Sequence, residues 1–393
     1  MKSRKAERFA PFGTTIFAEM SALALEHGAI NLSQGFPDFD GPAFVKDAVT
    51  RAMGQGRNQY AAMPGTPELR RAVAGWFGGS SGLEVDPERE VTVTAGCTEA
   101  IAAALLGLVN PGERVVVFEP FYDSYRACLA MAGAHGAWVT LRPGADGRFG
   151  FEEAELREAF AGAKAILVNT PHNPTGKVFT RAELELIRDL CVEHDAIAIV
   201  DEVYERLWYE DDRPHVHLAA IDGMGDRTLT LSSLGKSFSL TGWKIGWAIG
   251  PPHLTAGVRA AHQFLTFAVA TPLQLGAAAA LTDGEESVRE LCAHYRAMRD
   301  LLGEALTRCG LGVVVPEGSY FIMADHTRVS GARGFADDVA FCKWLTAEVG
   351  VAAIPPSAFY ATPSHGARFA RFAFCKTEET MRKAIERLEK GLG

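Results

Sequence analysis

Along the chain, short wholly apolar runs alternate with longer stretches whose apolar residues recur every three or four positions. VTVTAG (91–96) leads into the helical pattern CTEAIAAALLGLV, and RVVVFEP (114–120) follows a turn at Asn110-Pro111-Gly112. KAILVNTP (164–171) precedes the helical RAELELIRDLCVEH, and AIAIVDEVY (196–204), TLTLSS (228–233) and GWAIGP (246–251) continue the series. Runs that are apolar throughout, without alternating polar positions, belong to strands covered on both faces. Their alternation with helices predicts an α/β fold with a mostly parallel central sheet flanked by helices.

Beyond residue 285 the rhythm changes. ESVRELCAHYRAMRDLLGEAL reads as a long helix, followed by VVVPEGSYFIMAD, a second helical stretch FADDVAFCKWLTAEV, the run ARFARFAFC and a closing basic helix. This predicts a second, smaller α+β domain. A length of 393 residues is too much for one ordinary core. The expected division is a large domain over 40–280 and a small one built from 1–39 and 281–393.

Composition narrows the function. With 48% hydrophobic and 22% charged residues the chain is of globular type. A net charge of -9 argues against nucleic acid or an anionic membrane as partner. Seven scattered cysteines with no C-x-x-C pair point to a reducing compartment, not to a disulfide framework. No apolar run follows the basic start MKSRKAERFAPFG, and none approaches the roughly 18 residues of a membrane span. A cytoplasmic location is expected.

Candidate chemistry gathers at the ends of the predicted strands. SSLGKSFSLTGWKIGW (232–247) contains Gly235-Lys236-Ser237, but a P-loop needs glycine where Thr230 stands. Ser233 and Lys236 match S-x-x-K, yet the S-D-N and K-T-G elements of serine acyl-enzymes are missing. A lysine just beyond a buried strand must be paired or neutralised, and a neutral one forms Schiff bases with carbonyls. The alternative is an ordinary surface lysine. Asp201 closes an apolar strand, where ligands of open α/β sheets bind, and could pair with a cationic ring nitrogen. Three residues on, Tyr204 could donate to a phenolate oxygen of the same ring. The simpler reading of Asp201 is a helix cap. Asn173 lies in the rigid turn NTPHNPTG (169–176) and projects an amide into the same region. Gly96 and Cys97 open a helix in a short turn suited to one phosphate monoester. Arg371 lies inside an apolar strand, as a carboxylate receptor would, whereas Arg368 reads as an edge residue. His215-Val216-His217 has a spacing that suits a metal, but a pair in an Asp-rich loop reads as solvated surface.

A lysine for a carbonyl, a carboxylate for a ring nitrogen, donors to a phenolate, a phosphate cup and a carboxylate-binding arginine are together what pyridoxal phosphate chemistry on amino acids requires. The chain resembles the fold-type I, pyridoxal 5′-phosphate-dependent aminotransferases of class I/II. The methionine and kynurenine/glutamine types are the most similar. The resemblance runs through NLSQGFPDFDGP, NQYAAMPG, VTAGCTEA, FEPFYDSY, ILVNTPHNPTGKVF, DEVYE, SLGKSFSLTGWKIGWAIGP, FLTFAVATPLQ, PEGSYF and VAAIPPSAF.

The resemblance implies that Lys236 binds the cofactor covalently and later shuttles a proton, and that Asp201 keeps the pyridinium nitrogen protonated. It implies that Tyr204 and Asn173 donate to the ring oxygen and that Tyr122 stacks on the ring. Gly96 and Cys97 would present backbone N–H groups to the phosphate, joined by the side chains of Ser233 and Lys244. Tyr60 would reach the phosphate from a neighbouring subunit of a homodimer. Arg371, Asn173 and the Gly35 backbone would clamp the substrate α-carboxylate. Cys97 stands where alanine is usual, and Thr98 where kynurenine-type relatives carry tyrosine. The expected activity is ping-pong transfer of an amino group from methionine, glutamine or an aromatic amino acid to a 2-oxo acid. The alternative within this chemistry is a cysteine-conjugate β-lyase. No second arginine is evident for an acidic side chain, which disfavours aspartate. Phe12, Phe17, Phe36 and Phe267 are candidates for an apolar pocket.

Overall fold

All six apolar runs become strands of one sheet in the computed structural model, which describes residues 4–393. In chain order the strands are β1 (Val91–Thr94), β2 (Arg114–Glu119), β3 (His135–Thr140), β4 (Ala163–Asn169), β5 (Ile197–Asp201), β6 (Thr228–Ser233) and β7 (Gly246–Ile249). Their spatial order is β1-β7-β6-β5-β4-β2-β3. Neighbours from β6 through β3 pair in parallel, and only β7 runs against its two neighbours. The strand without a sequence signal is β3. It lies at the sheet edge, and its burial climbs from exposed His135 to buried Val139 and Thr140, so it carries no continuous apolar run.

Register places the ends of these strands side by side. Asn169 pairs with Asp201 across β4 and β5, while Gly246 faces both Thr94 and Ser233. A row of polar strand ends therefore lies along one edge of the sheet. Helices cover both faces. Among them, Arg181–Glu193 starts with a capping box, in which Thr180 accepts from the Glu183 backbone and the Glu183 carboxylate accepts from Thr180 N. Helices Gly96–Leu108 and Pro252–Leu265 cross at glycines: a Cβ on Gly107 would lie 2.1 Å from Gly257 O.

The C-terminal third forms a second sheet from β8 (Gly312–Val314), β9 (Phe321–Asp325) and β10 (Phe369–Ala373), antiparallel in that order. The N-terminal segment is tied to this part, because Ile30–Asn31 pairs in parallel with Val351–Ala352. Between the sheets, Ser319 N donates to Leu207 O and Gly318 N to Gly176 O. One continuous core joins residues of both, Leu231 and Phe321 among them. All seven cysteines are free thiols. No described helix is long and apolar enough to cross a membrane.

Overpacking the helix crossing should cost stability. Gly107→Ala is expected to destabilise by about 1–3 kcal/mol, read as a lower urea midpoint at an unchanged slope.

Candidate active site

β6 runs directly into a single helical turn, Leu234–Ser237, that carries Lys236. Lys236 Nζ donates to Tyr320 Oη at 2.8 Å, and that hydroxyl donates to Gly35 O at 2.5 Å. Burial holds the lysine at about 8, down from 10.5, although Cys375 and Asp201 pull the other way. Its charge is therefore weakly held at neutral pH, the condition a nucleophilic amine needs.

Asp201 is 4% exposed and receives three donors. Tyr125 Oη donates to Oδ2 at 2.6 Å, while Val203 N at 3.3 Å and Cys97 Sγ at 3.5 Å donate to Oδ1. Burial still raises its pKa against these donors. A carboxylate held in this way favours a cationic partner in the cleft beside it.

A chain of amides links Asp201 to the arginine. Asn169 Nδ2 donates to Asp201 O at 2.8 Å, and Asn169 Oδ1 accepts from Asn173 N at 2.7 Å. Asn173 Oδ1 in turn accepts from Arg371 Nη1 at 3.2 Å, and Arg371 Nη2 donates to Ser33 O at 2.9 Å. Arg371 is 2% exposed and packed against the faces of Phe321, Phe17 and Phe359, at 4.2, 5.1 and 5.2 Å. Its Nε is buried without a hydrogen-bond partner, and burial lowers its pKa to about 10. A desolvated guanidinium with an idle N–H is suited to receive a carboxylate.

The far end of the cleft is shaped by backbone. Gly96 and Cys97 begin a helix whose first N–H groups have no acceptor within it. Lys244 sits in the left-handed region at φ 54°, and its Nζ lies 3.1 Å from where a Cβ on Gly96 would be. A Cβ on Gly246 would fall 2.5 Å from Gly96 C and 2.7 Å from Cys97 N. Any side chain there would clash with the backbone that opens the Gly96 helix. Ser233, Thr98 and Tyr122 complete the walls, and Tyr204 is fully buried with its ring 5.8 Å from Lys236 Nζ.

Lys236, Asp201, Tyr204, Asn173, Gly96, Cys97, Tyr122, Ser233 and Lys244 thus line one cleft, with Arg371 and Gly35 joined to it by hydrogen bonds. Tyr60 stands apart, 85% exposed and in edge contact with Phe267. Of the candidate pocket phenylalanines, Phe17 reaches Arg371, Phe36 and Phe267 are surface-exposed, and Phe12 packs edge-on with Phe9. Arg368 pairs with Asp325 at the surface, as an edge residue does. Tyr125, Tyr320 and Asn169 are site residues that the sequence reading passed over. Tyr125 lies within FYDSY and Tyr320 within PEGSYF, but a buried tyrosine shows its partner only once the strands are in register.

A lysine of weakened charge, a buried carboxylate in the same cleft and a helix start with free N–H groups make a site of the kind pyridoxal phosphate-dependent enzymes use. The chain matches the family "Aminotransferase class I and II" over residues 27–388 and belongs to it. It is a transaminase of that pyridoxal 5′-phosphate-dependent family. It is 47% identical to the "Probable N-succinyldiaminopimelate aminotransferase DapC" of Mycobacterium tuberculosis, over 97% of each chain. It is 41% identical to the methionine aminotransferase of Escherichia coli (96% of this chain, 95% of the other). The solved N-succinyldiaminopimelate aminotransferase from Mycobacterium tuberculosis superposes with a TM-score of 0.94 at 46% identity, covering 98% of this chain and 99% of that one.

The lysine's burial makes a thermodynamic prediction. Its folded pKa lies below its unfolded one, so between about 8 and 10.5 the folded state binds fewer protons and gains stability as pH rises. Cofactor-free Lys236→Met should therefore be more stable than the cofactor-free wild type at pH 7, by on the order of 3 kcal/mol. The gap should close as pH climbs to 10.5, which denaturant titrations at several pH values will measure.

Proposed function

We propose that Lys236 is the covalent anchor of the cofactor and the proton carrier of the reaction. Its weakened charge, beside buried Asp201, is the observation that carries this reading. Pyridoxal phosphate supplies an electron sink for the bonds around the substrate Cα. Asp201, oriented by Tyr125, holds a proton on the ring nitrogen. Tyr204 and Asn173 would donate to the ring oxygen, and Tyr122 would cover the ring face. The N–H groups at Gly96 and Cys97, with Ser233 and Lys244, bind the phosphate. Arg371, steadied by Asn173, takes the α-carboxylate beside the Gly35 backbone. Lys236 Nζ would then carry the proton taken from the substrate Cα. One amino acid leaves as a 2-oxo acid, and a second 2-oxo acid takes up the amino group.

For the donor we propose methionine, glutamine or an aromatic amino acid, supported by the Phe17, Phe321 and Phe359 rings around Arg371. The likeness to N-succinyldiaminopimelate aminotransferases supports a second reading, a long donor with an acidic side chain. We further propose a homodimer in which Tyr60 reaches the partner's phosphate site. The supporting feature is the exposed apolar surface of Tyr60, Phe264 and Phe267. We also propose a large domain over 40–280 and a small one from 1–39 with 281–393, a division supported by the two sheets, and a cytoplasmic location.

Borohydride should fix the cofactor to the wild type but not to Lys236→Ala, whose turnover should fall by about 10³-fold or more; normal turnover by that variant would remove Lys236 from its role. Comparison of kcat/KM for methionine, glutamine, phenylalanine, kynurenine and N-succinyl-diaminopimelate should favour the first four. A lead for the last would move the assignment to the second reading. Pyruvate and ammonia from cysteine conjugates, with no amino transfer, would make the enzyme a β-lyase instead. Arg371→Lys keeps the charge but loses the planar fork, and should raise KM for every donor by about tenfold or more.

A further inference from the structure

Glu202 follows Asp201 directly but does not line the cleft. It is fully buried and meets His215 and His217. His217 Nδ1 is 2.5 Å from Glu202 Oε2, and His217 Nε2 is 3.0 Å from Ser80 Oγ. His215 Nε2 lies 3.5 Å from the same carboxylate oxygen. One ligand atom from each of the three residues falls within 4.8 Å of the others. The His215 side chain is only 3% exposed, so the sequence reading of this pair as solvated surface is corrected. The chain folds its Asp-rich loop back over the end of β5, and both rings are carried inward.

Three buried atoms in this cluster have no hydrogen-bond partner: both ring nitrogens of His215, and Glu202 Oε1. The nearby cation and carboxylate are engaged elsewhere. Glu205 is buried and accepts from Trp76 Nε1 at 2.8 Å, while Arg206 lies over the Trp76 ring and pairs with exposed Glu285. Ser80 Oγ donates to Phe77 O at 3.1 Å, so it accepts from His217 Nε2–H, and the neutral ring then presents its Nδ1 lone pair to a carboxylate oxygen. Something positive must then lie between them, a proton or a metal ion. A proton there would serve Glu202 and His217 alone, and each idle buried atom costs about 1–3 kcal/mol. A divalent cation would also take up one ring nitrogen of His215. Two imidazoles and a carboxylate are a zinc-type donor set, and a hydrogen bond that fixes the outer ring nitrogen, as Ser80 does, is the usual support for such a ligand. Tetrahedral zinc spaces its ligand atoms by about 3.3 Å. The 2.5 and 3.5 Å separations from Glu202 bracket that value, and the two imidazole nitrogens lie within 4.8 Å of each other.

We propose that Glu202, His215 and His217 bind a structural zinc ion that fastens the 210–217 loop to the end of β5. Three protein ligands leave the fourth position to water. The ion would sit one residue from Asp201 and outside the cleft, so it is separate from the amino-transfer chemistry.

The test uses the cofactor-loaded enzyme, stripped with a chelator, resupplied with Zn²⁺ at neutral pH and desalted. The wild type should retain one zinc per chain and melt at a higher temperature with the metal than without it. Co²⁺ should give the intense visible bands of a tetrahedral site with no thiolate charge-transfer band. His215→Gln removes one imidazole ligand while keeping a polar side chain beside Glu202, and should weaken zinc binding by about 100-fold while the cofactor absorbance persists. No zinc retained by the wild type, equal retention by His215→Gln, or a thiolate band in the Co²⁺ spectrum would each overturn the proposal. Glu202→Gln is a second variant with the same expected loss. If both variants fail to fold, the wild-type stoichiometry and Co²⁺ spectrum still decide it.

Discussion

Desolvation of charge at the carboxyl ends of β5 and β6 is the constraint on which the rest depends. Asp201, Lys236 and Arg371 are all withdrawn from water, and burial pushes each toward its neutral form. Isolated charges in such a place are unstable. The fold offsets the cost with hydrogen bonds that fix geometry at the same time: Tyr125 on Asp201, Tyr320 on Lys236, Asn173 and the Ser33 carbonyl on Arg371. What remains unmet, including the idle Nε of Arg371, is what a carboxylated substrate can complete.

This arrangement requires distant segments to meet. The amide relay from Asp201 through Asn169 and Asn173 to Arg371 begins in the central sheet and ends on β10 of the small one. Tyr320 connects the N-terminal segment, through Gly35 O, to the lysine turn. The pairing of Ile30–Asn31 with Val351–Ala352 holds that segment where it can serve. A shift of the small sheet against the large one would therefore alter the surroundings of Arg371 and Lys236 together.

The tight row Thr94–Gly246–Ser233 fixes the Gly96 end of the cleft as the relay fixes the Arg371 end. Glycine at 246 lets β7 approach the start of the Gly96 helix, and Lys244 adopts a left-handed turn to place its ammonium there. The Glu202–His215–His217 cluster lies behind this machinery, at the next residue after Asp201, where any disorder of the loop would reach the site through the backbone.

By itself the sequence determined the wholly apolar strands, the polar residues closing them and the rigid NTPHNPTG turn, because these signals are local and depend on neighbours a few positions away. It marked Lys236, Asp201, Asn173 and Arg371 through the oddity of polar groups at buried ends. Only the tertiary structure decided which partner each would have. Tyr125, Tyr320 and Asn169 carry no local mark, since a tyrosine buried for packing and one aimed at a carboxylate have the same neighbours in sequence. The edge strand β3 escaped because exposure on one side removes its apolar run. His215 and His217 were misread for a related reason: loop composition reports the average solvent exposure, whereas the path of the chain over β5 determines where two particular rings point.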